Sequence, residues 1–266
     1  MILHSLKIMI NKKYLKLKRS YRKTHSDNFI YETIGKRIID SIDLIKIEFN
    51  NILELGINDE NTCNFLNEKY PNSSITRADI SIFNKNNSSK NNYIEIDLDK
   101  WGLDPNNYDL ICSNFFLHLS LKFEDLIKNI HLSLKSGGFF IFVIPDVDNI
   151  FQLVNSMYQT DLQIYKGAYR RINPTIKIDD ILNILKKTNY DLPNIYSDKI
   201  TIEYSDFNKL LKDLKISNLS YCYQDKKQTF EKKNYFKILE ENYKKNYFKK
   251  NFVLDLKFNI VSSWKK

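Results

Sequence analysis

Apolar residues recur at Ile30, Ile34, Ile38, Ile42 and Ile45. Spacings of four, four, four and three mark one face of a helix, so a helix is predicted over residues 29–47. The period then changes. Ile52, Leu53, Glu54 and Leu55 form a short apolar run that stops on Gly56, the signature of a strand. A short helix over 61–70 is ended by Pro71. Strands are expected over 75–80, 93–97 and 108–114, the last running on into Phe115, Phe116, Leu117, His118 and Leu119. Phe123, Leu126, Ile127, Ile130 and Leu134 predict a helix. Lys135, Ser136, Gly137 and Gly138 then read as its stop and turn. Residues 139–144 are apolar throughout, as in a strand buried on both faces.

After Pro145 the rhythm differs. Helices are expected over 148–158, 178–187, 206–214 and 230–248, with an irregular segment over 159–177. Strands are expected over 199–204 and 252–262. The Asn-rich stretch 84–92 reads as an expanded polar loop. Alternation of strands and helices from 51 to 145 predicts an α/β fold with a parallel, doubly wound sheet. Two closing strands make seven, with an antiparallel edge. In such sheets a ligand lies beyond the carboxyl ends of the strands, where the strand order switches. That places Gly56, Asp79, Asp97 and residues 113–118 at the candidate site.

Asp79 ends the second strand 23 residues after Gly56. An acid there accepts hydrogen bonds from ribose hydroxyls; the other reading is an Asp facing a loop. Asp97 is placed to accept from an adenine amino group, or is a cap or turn residue. Asp109 opens its strand at the opposite end of the sheet and is expected to be structural. His118 lines the pocket or is a packed, hydrogen-bonded histidine. His131 faces off a helix and reads as a surface residue. Arg170 and Arg171 bind an anionic group or form a solvated loop pair.

The 266 residues are 42% apolar and 14% aromatic, enough for a sizeable core, which excludes disordered and fibrous classes. The apolar run over 139–145 is too short to span a bilayer. Cys63, Cys112 and Cys222 are widely spaced, without CxxC or flanking His pairs. A disulfide framework and a structural zinc site are therefore not expected, and a reducing compartment is implied. The net charge of +9 divides unevenly. Residues 1–25 hold eight Lys/Arg and no acid, and residues 201–266 hold fifteen Lys/Arg against eight acids. The body between them carries eighteen bases and twenty-four acids. A basic N-terminus on an acidic body leaves room for weak peripheral membrane contact, but it is not the footprint of a nucleic-acid-binding core. Lys outnumbers Arg 35 to 6 and Asn and Ile are abundant, a compositional bias that explains much of the surface.

The acid-free residues 1–23 read as an organelle transit peptide or as a helix with a solvated basic face. Dominance of Lys over Arg and sparse Ser favour the helix. Lys7, Lys12 and Lys13 interrupt any signal-peptide core, and Met9 is a second candidate start.

Taken in succession, Ile52 to Gly56, Ala78-Asp79-Ile80, residues 108–118 and residues 134–141 resemble class I S-adenosylmethionine-dependent methyltransferases over about residues 50–145. The flanks (15–19, 29–38, 148–153, 171–174, 179–185, 198–204 and 210–214) resemble one subgroup. It comprises the respiratory complex I assembly factors, whose mitochondrial member is a protein-arginine hydroxylase, and the malonyl-carrier-protein methyltransferases of biotin synthesis. The resemblance implies an N-terminal helical segment, 1–48, and a Rossmann-like domain, 49–266, with a small helical cap at about 146–177. It implies S-adenosylmethionine as cofactor, held by Glu54, Gly56, Asn58, Asp79, Ile80, Asp97, Leu98, Ser113 and Asn114. His118, Asp148, Arg170 and Arg171 would face the substrate. No metal is implied and no catalytic residue is assigned.

The family's first motif is Gly-x-Gly-x-Gly. Here Gly56 stands first, with Asn58 and Glu60 in the other two glycine positions. After the fifth strand Asp148 is kept, while Gln152 and Val154 replace an acid and an Arg. The implied function is methyltransferase-like action on a protein or acyl-carrier-protein substrate, with a place in respiratory complex I assembly. The alternative is a non-catalytic scaffold that has lost its cofactor through the altered glycine loop. A carrier partner would meet a basic surface at Lys166, Arg170 and Arg171. The compartment implied is the bacterial cytoplasm, or alternatively the mitochondrial matrix.

Overall fold

In the computed structural model, which describes residues 9–23, 29–82, 91–217, 219–227 and 229–266, the sheet is built outward from its most apolar strands. Ile52, Leu53 and Leu55 of β1 (Asn51–Leu55) are fully buried, as are Leu110 and Ile111 of β4 (Tyr108–Asn114). Residues 140–144 of β5 (Leu134–Pro145) are buried likewise. Strands apolar on both faces need covering on both, so they take the centre. β2 (Ser74–Asp79) and β3 (Asn92–Glu95) extend the sheet on one side. β7 (Phe252–Lys265) and β6 (Tyr190–Tyr204) complete the other. The order is β3-β2-β1-β4-β5-β7-β6, parallel from β3 through β5, with β7 antiparallel to β5. The predicted seven strands and antiparallel strand are found, with β7 one strand in from the β6 edge. The chain runs outward from β1 to β3 and returns on the other side of β1 as β4. The switch point lies at the carboxyl ends of β1 and β4.

The helices in chain order are α1 (Lys12–Lys23), α2 (Phe29–Asp43), α3 (Asn61–Lys69), α4 (Phe123–Ser133), α5 (Phe151–Tyr165), α6 (Ile178–Lys187), α7 (Phe207–Ile216) and α8 (Tyr235–Tyr247). On α2 the stripe Ile34, Ile38 and Ile42 is fully buried, and the helix packs on α3, β4 and β5. Gly35 permits this approach. A Cβ there would lie 2.9 Å from Asp59 Oδ2 and 3.0 Å from Thr62 Oγ1.

The chain divides into two compact units. One comprises Arg19–Val147, Thr175–Asp198 and Lys257–Lys266 and holds β1 to β5 with parts of β6 and β7. The other comprises Met1–Lys18, Asp148–Pro174 and Lys199–Leu256, and in it α5 packs on α8.

Several expectations change. Residues 135–138 are not a turn between elements but a bulge within β5: Leu134 pairs with Tyr108, and Phe139 already with Leu110. The helix expected over 148–158 starts at Phe151, after Ile150 at φ 50°, and runs to Tyr165 into the stretch read as irregular. It continues through Asp161 because that carboxylate is satisfied by Arg171. The strand expected at 199–204 begins at Tyr190 and passes through Pro193, which an edge strand tolerates. α8 starts at Tyr235, later than the expected 230. Residues 1–8, 24–28 and 83–90 lie outside the described residues, and with them most of the expected 84–92 loop and part of the N-terminal segment. No helix among the described residues is long and apolar enough to cross a membrane.

Candidate functional site

Gly56 follows β1 at φ +85°, and its N–H donates to Ala78 O at 2.7 Å. That backbone region is open to glycine and strained for other residues. Space imposes a second demand: a Cβ at position 56 would sit 2.5 Å from Phe116 Cβ. Phe116 therefore packs directly over the bare Cα.

The next residues turn inward. Ile57 N–H donates to Asp79 Oδ2 at 3.0 Å. The Asn58 side-chain amide donates to Asn114 O. Asp59 Oδ1 accepts from Thr62 N–H at 2.8 Å, near the start of α3, and its Oδ2 accepts from Asn114 Nδ2 at 3.0 Å. Asn114 Nδ2 also donates to Tyr31 O at 2.8 Å on α2. Asn58 is thus part of a buried amide–carboxylate cluster joining the β1 loop to the end of β4. Glu60 turns outward, its side chain 68% exposed, and accepts from Arg77 Nη1 at 2.6 Å.

Two buried ion pairs organise the strand ends. Glu54 and Arg77 are cross-strand neighbours in the β1–β2 register. Arg77 Nε donates to Glu54 Oε2 at 2.6 Å and Nη2 to Oε1 at 3.2 Å, with a further bond from Nη2 to Asp59 O at 3.0 Å. Burial pushes the Glu54 carboxyl up to about 7, with Arg77 pulling the other way, while Arg77 itself is held charged by Glu54. The second pair is Arg19 with Asp79, both fully buried. Arg19 Nε donates to Asp79 Oδ1 at 2.8 Å, and Nη2 donates to Oδ2. Ser81 N–H adds a bond to Oδ1 at 3.3 Å. A carboxylate offers about four acceptor sites, and here four donors take them.

The structure therefore brings Glu54, Gly56, Asn58, Asp79, Ser113 and Asn114 together at the switch point. Ser113 Oγ donates to Leu55 O at 2.9 Å. Ile80 is half-buried and Leu98 buried. Asp97 lies beyond the end of β3 and takes the turn geometry, its Oδ1 accepting from Asp99 N–H at 3.1 Å. Asp109 accepts from Asn50 and Asn51 N–H and pairs with Lys135 at the opposite end of the sheet. His118 is buried in a short 3-10 turn, Leu117–Leu119, edge-on to Phe115. The surface reading of His131 does not hold. It is half-buried and stands edge-on to Tyr190, burial lowering its pKa. With Lys186, Asn189, Tyr190 and Lys266 it lines a cavity of about 460 Å³.

Asp148, Arg170 and Arg171 lie in the other unit. Asp148 is exposed. Arg170 is largely exposed and 3.6 Å from Asp225. Arg171 is committed to Asp161, at 2.5 and 3.1 Å, and to Glu231, at 2.5 Å. Burial opposes ionisation of Glu231, but bonds from Arg171, Lys227 and Tyr165 outweigh it and hold the carboxyl at about 2. A depressed folded pKa contributes stability above the unfolded value, lost as pH falls toward 2. Urea melts between about pH 5 and pH 2 should thus show acid destabilisation that Glu231→Gln flattens; an unchanged acid limb would refute this.

Sequence reasoning missed Arg19 and Arg77. A signal for them existed. In a chain that uses Lys almost everywhere, Arg19, Arg37, Arg77, Arg170 and Arg171 all pair with carboxylates. Arg is retained where a rigid, always charged fork is needed. The three cysteines are free and buried. Burial pushes the Cys63 thiol up to about 12 and raises Cys112 and Cys222, which removes them as nucleophiles at neutral pH. No group of His, Cys, Asp or Glu among the described residues is placed to hold a metal ion.

A family model described as a methyltransferase domain matches residues 30–193. The mitochondrial arginine-hydroxylase NDUFAF5 of Dictyostelium discoideum is 33% identical over 113 residues, 42% of this chain. The match spans only 26% of that relative's length. Malonyl-[acyl-carrier protein] O-methyltransferase 2 of Ilyobacter polytropus is 28% identical over 257 residues, 90% of this chain and 92% of that protein. Among solved structures, a Bacillus halodurans protein assigned as a methyltransferase superposes with a TM-score of 0.58 at 11% identity, covering 86% of this chain and 97% of that one. At that identity the likeness is one of fold.

Proposed function

The chain belongs to the methyltransferase-domain family, and from that premise we propose that it is an S-adenosylmethionine-dependent methyltransferase-like protein acting on a protein or acyl-carrier-protein substrate. The observation that carries the reading is the frame kept at the switch point. Gly56 stands at φ +85° directly after β1, and Asp79 ends the neighbouring strand, tied to it through Ile57 N–H. This is where a Rossmann-like sheet holds a nucleoside. Transfer between a bound donor and a nucleophile relies on proximity and orientation, so the reading assigns no acid–base residue.

The residues as arranged do not fit the cofactor. Asp79 is fully buried and its acceptors are taken, so a ribose diol finds none. No chemical step is therefore derived through the group. For the substrate, the near full-length match to the Ilyobacter polytropus enzyme supports a carrier protein. The partial match to the Dictyostelium arginine-hydroxylase supports an arginine-bearing substrate; a role in respiratory complex I assembly is proposed from the resemblance of the flanking segments. The compartment proposed is the bacterial cytoplasm, with the mitochondrial matrix as alternative.

A second reading, a scaffold that no longer binds cofactor, draws on Asn58 and Glu60. Asn58 is built into the Asn114 cluster, and Glu60 into the Arg77 pair. Calorimetry separates the two. Saturable binding of S-adenosylmethionine, lost in Asp79→Asn with the fold verified by thermal melt, is expected of the enzyme reading. No saturable heat up to about 1 mM, in wild type and in a variant lacking the Arg19 side chain, would leave only the scaffold.

A further inference from the structure

We propose that Arg19 is a built-in competitor for the ribose of a nucleoside cofactor: the side chain occupies Asp79 and must leave before the nucleoside can bind. The inference rests on the cofactor reading above and adds to it a closed state and the residue that enforces it.

The competition follows from donor geometry. A guanidinium edge presents two parallel N–H donors to a carboxylate. A ribose presents two adjacent hydroxyls to the same acceptors. Arg19 uses Nε and Nη2 on the two oxygens of Asp79, and Ile57 and Ser81 fill the remaining positions. The ribose and Arg19 cannot both be served.

The surroundings close over the pair. The Arg19 guanidinium lies 4.7 Å from the centre of the Phe116 ring, the ring that covers Gly56. One residue on, Ser20 Oγ lies 2.8 Å from Ser81 Oγ. Arg19 and Ser20 thus meet Asp79, at the end of β2, and Ser81, just beyond it.

Arg19 is also held imperfectly. Its Nη1 is buried and has no acceptor among the described residues. A buried donor without a partner carries its full desolvation penalty, which offsets part of the ion pair's strength. The backbone donors Ile57 and Ser81 remain on Asp79 when Arg19 departs, so withdrawal does not orphan the carboxylate. A contact that is strong and local, and incompletely satisfied on one side, can be exchanged for a ligand that satisfies Asp79 equally well.

The test uses the full chain and S-adenosylhomocysteine, which binds without reacting, measured by calorimetry on wild type, Arg19→Ala and Arg19→Gln. Apparent affinity is reduced by the fraction of molecules competent to bind, so removing the competitor is expected to lower Kd by at least about tenfold. Both variants should show it, each with a cooperative melt. The gain should vanish with 2′,3′-dideoxyadenosine, which lacks the hydroxyls that compete with Arg19. Wild-type binding with no gain, or weaker binding, in two folded Arg19 variants would overturn the latch and leave the cofactor reading standing. An equal gain with the dideoxy compound would also overturn it, since Arg19 would then exclude something other than the ribose. No binding by any form would overturn both.

Discussion

Arg77→Ala is expected to destabilise the sheet-bearing unit by about 3–5 kcal/mol, the cost of leaving a buried charge without its partner. Arg77 is fully buried two residues before the end of β2, and its fork holds Glu54 across the strand pair. Removing it leaves a carboxylate in a site where burial already pushes its pKa up to about 7 against the pull of the arginine. Without that pull Glu54 takes a proton in the folded state. A folded pKa above the unfolded one means the folded state binds the proton more tightly. Stability then falls as pH rises from the unfolded pKa toward the folded one. Wild type shares this slope up to about pH 7, so urea melts followed by circular dichroism should show a deficit in Arg77→Ala that widens above about pH 7, where the wild-type carboxyl has released its proton and the variant's has not. Replacing both partners by apolar residues, Glu54→Leu with Arg77→Met, removes the charge along with its counterpart and should recover most of the loss. A single-variant loss below about 1 kcal/mol would mean the pair is not structural.

The second large effect is expected from Gly56→Ala, at about 2–5 kcal/mol from two separate causes. The backbone at φ +85° is strained for any residue with a Cβ, on the order of 1–3 kcal/mol. The added methyl also meets the Phe116 side chain at 2.5 Å, and overpacking of this kind costs about 1–3 kcal/mol. The two causes separate by rescue. Phe116→Ala should give only partial relief, because it removes Cγ at 2.6 Å and Cδ2 at 3.0 Å but keeps Phe116 Cβ at 2.5 Å. Phe116→Gly removes that atom and should return the steric part, leaving the conformational part. Thermal melts of the single and double variants form the cycle that reads this coupling. Full additivity would show that Phe116 does not press on position 56.

These effects bear on function because the same residues shape the candidate site. Phe116 covers Gly56 and lies under the Arg19 guanidinium. Arg77 ties Glu54, the Asp59 carbonyl and Glu60 into one group at the loop after β1. The glycine positions of that loop taken by Asn58 and Glu60 have become anchoring points, one inward to Asn114 and one outward to Arg77.

What the sequence determined by itself is what residues a few positions apart encode. The apolar run at 139–144 announced a strand buried on both faces, because such burial leaves no polar alternation, and residues 51–55 announced a short strand stopping on Gly56. The isoleucine stripe on α2 announced its buried face, since four-residue spacing returns to one side of a helix. The separation of Gly56 from Asp79, and the substitutions at 58 and 60, were equally open to reading along the chain. The tertiary structure decided what depends on closure of the fold. Whether Asp79 faces a ligand or an arginine depends on a residue 60 positions earlier. The Glu54–Arg77 pair exists only because β1 and β2 meet in one register. Asp161 sits inside α5 rather than ending it because Arg171 lies within reach once the helix has formed. Periodicity records which face of an element is buried. It does not record which distant side chain will meet it there, because that partner is chosen by the packing of elements far apart in the chain.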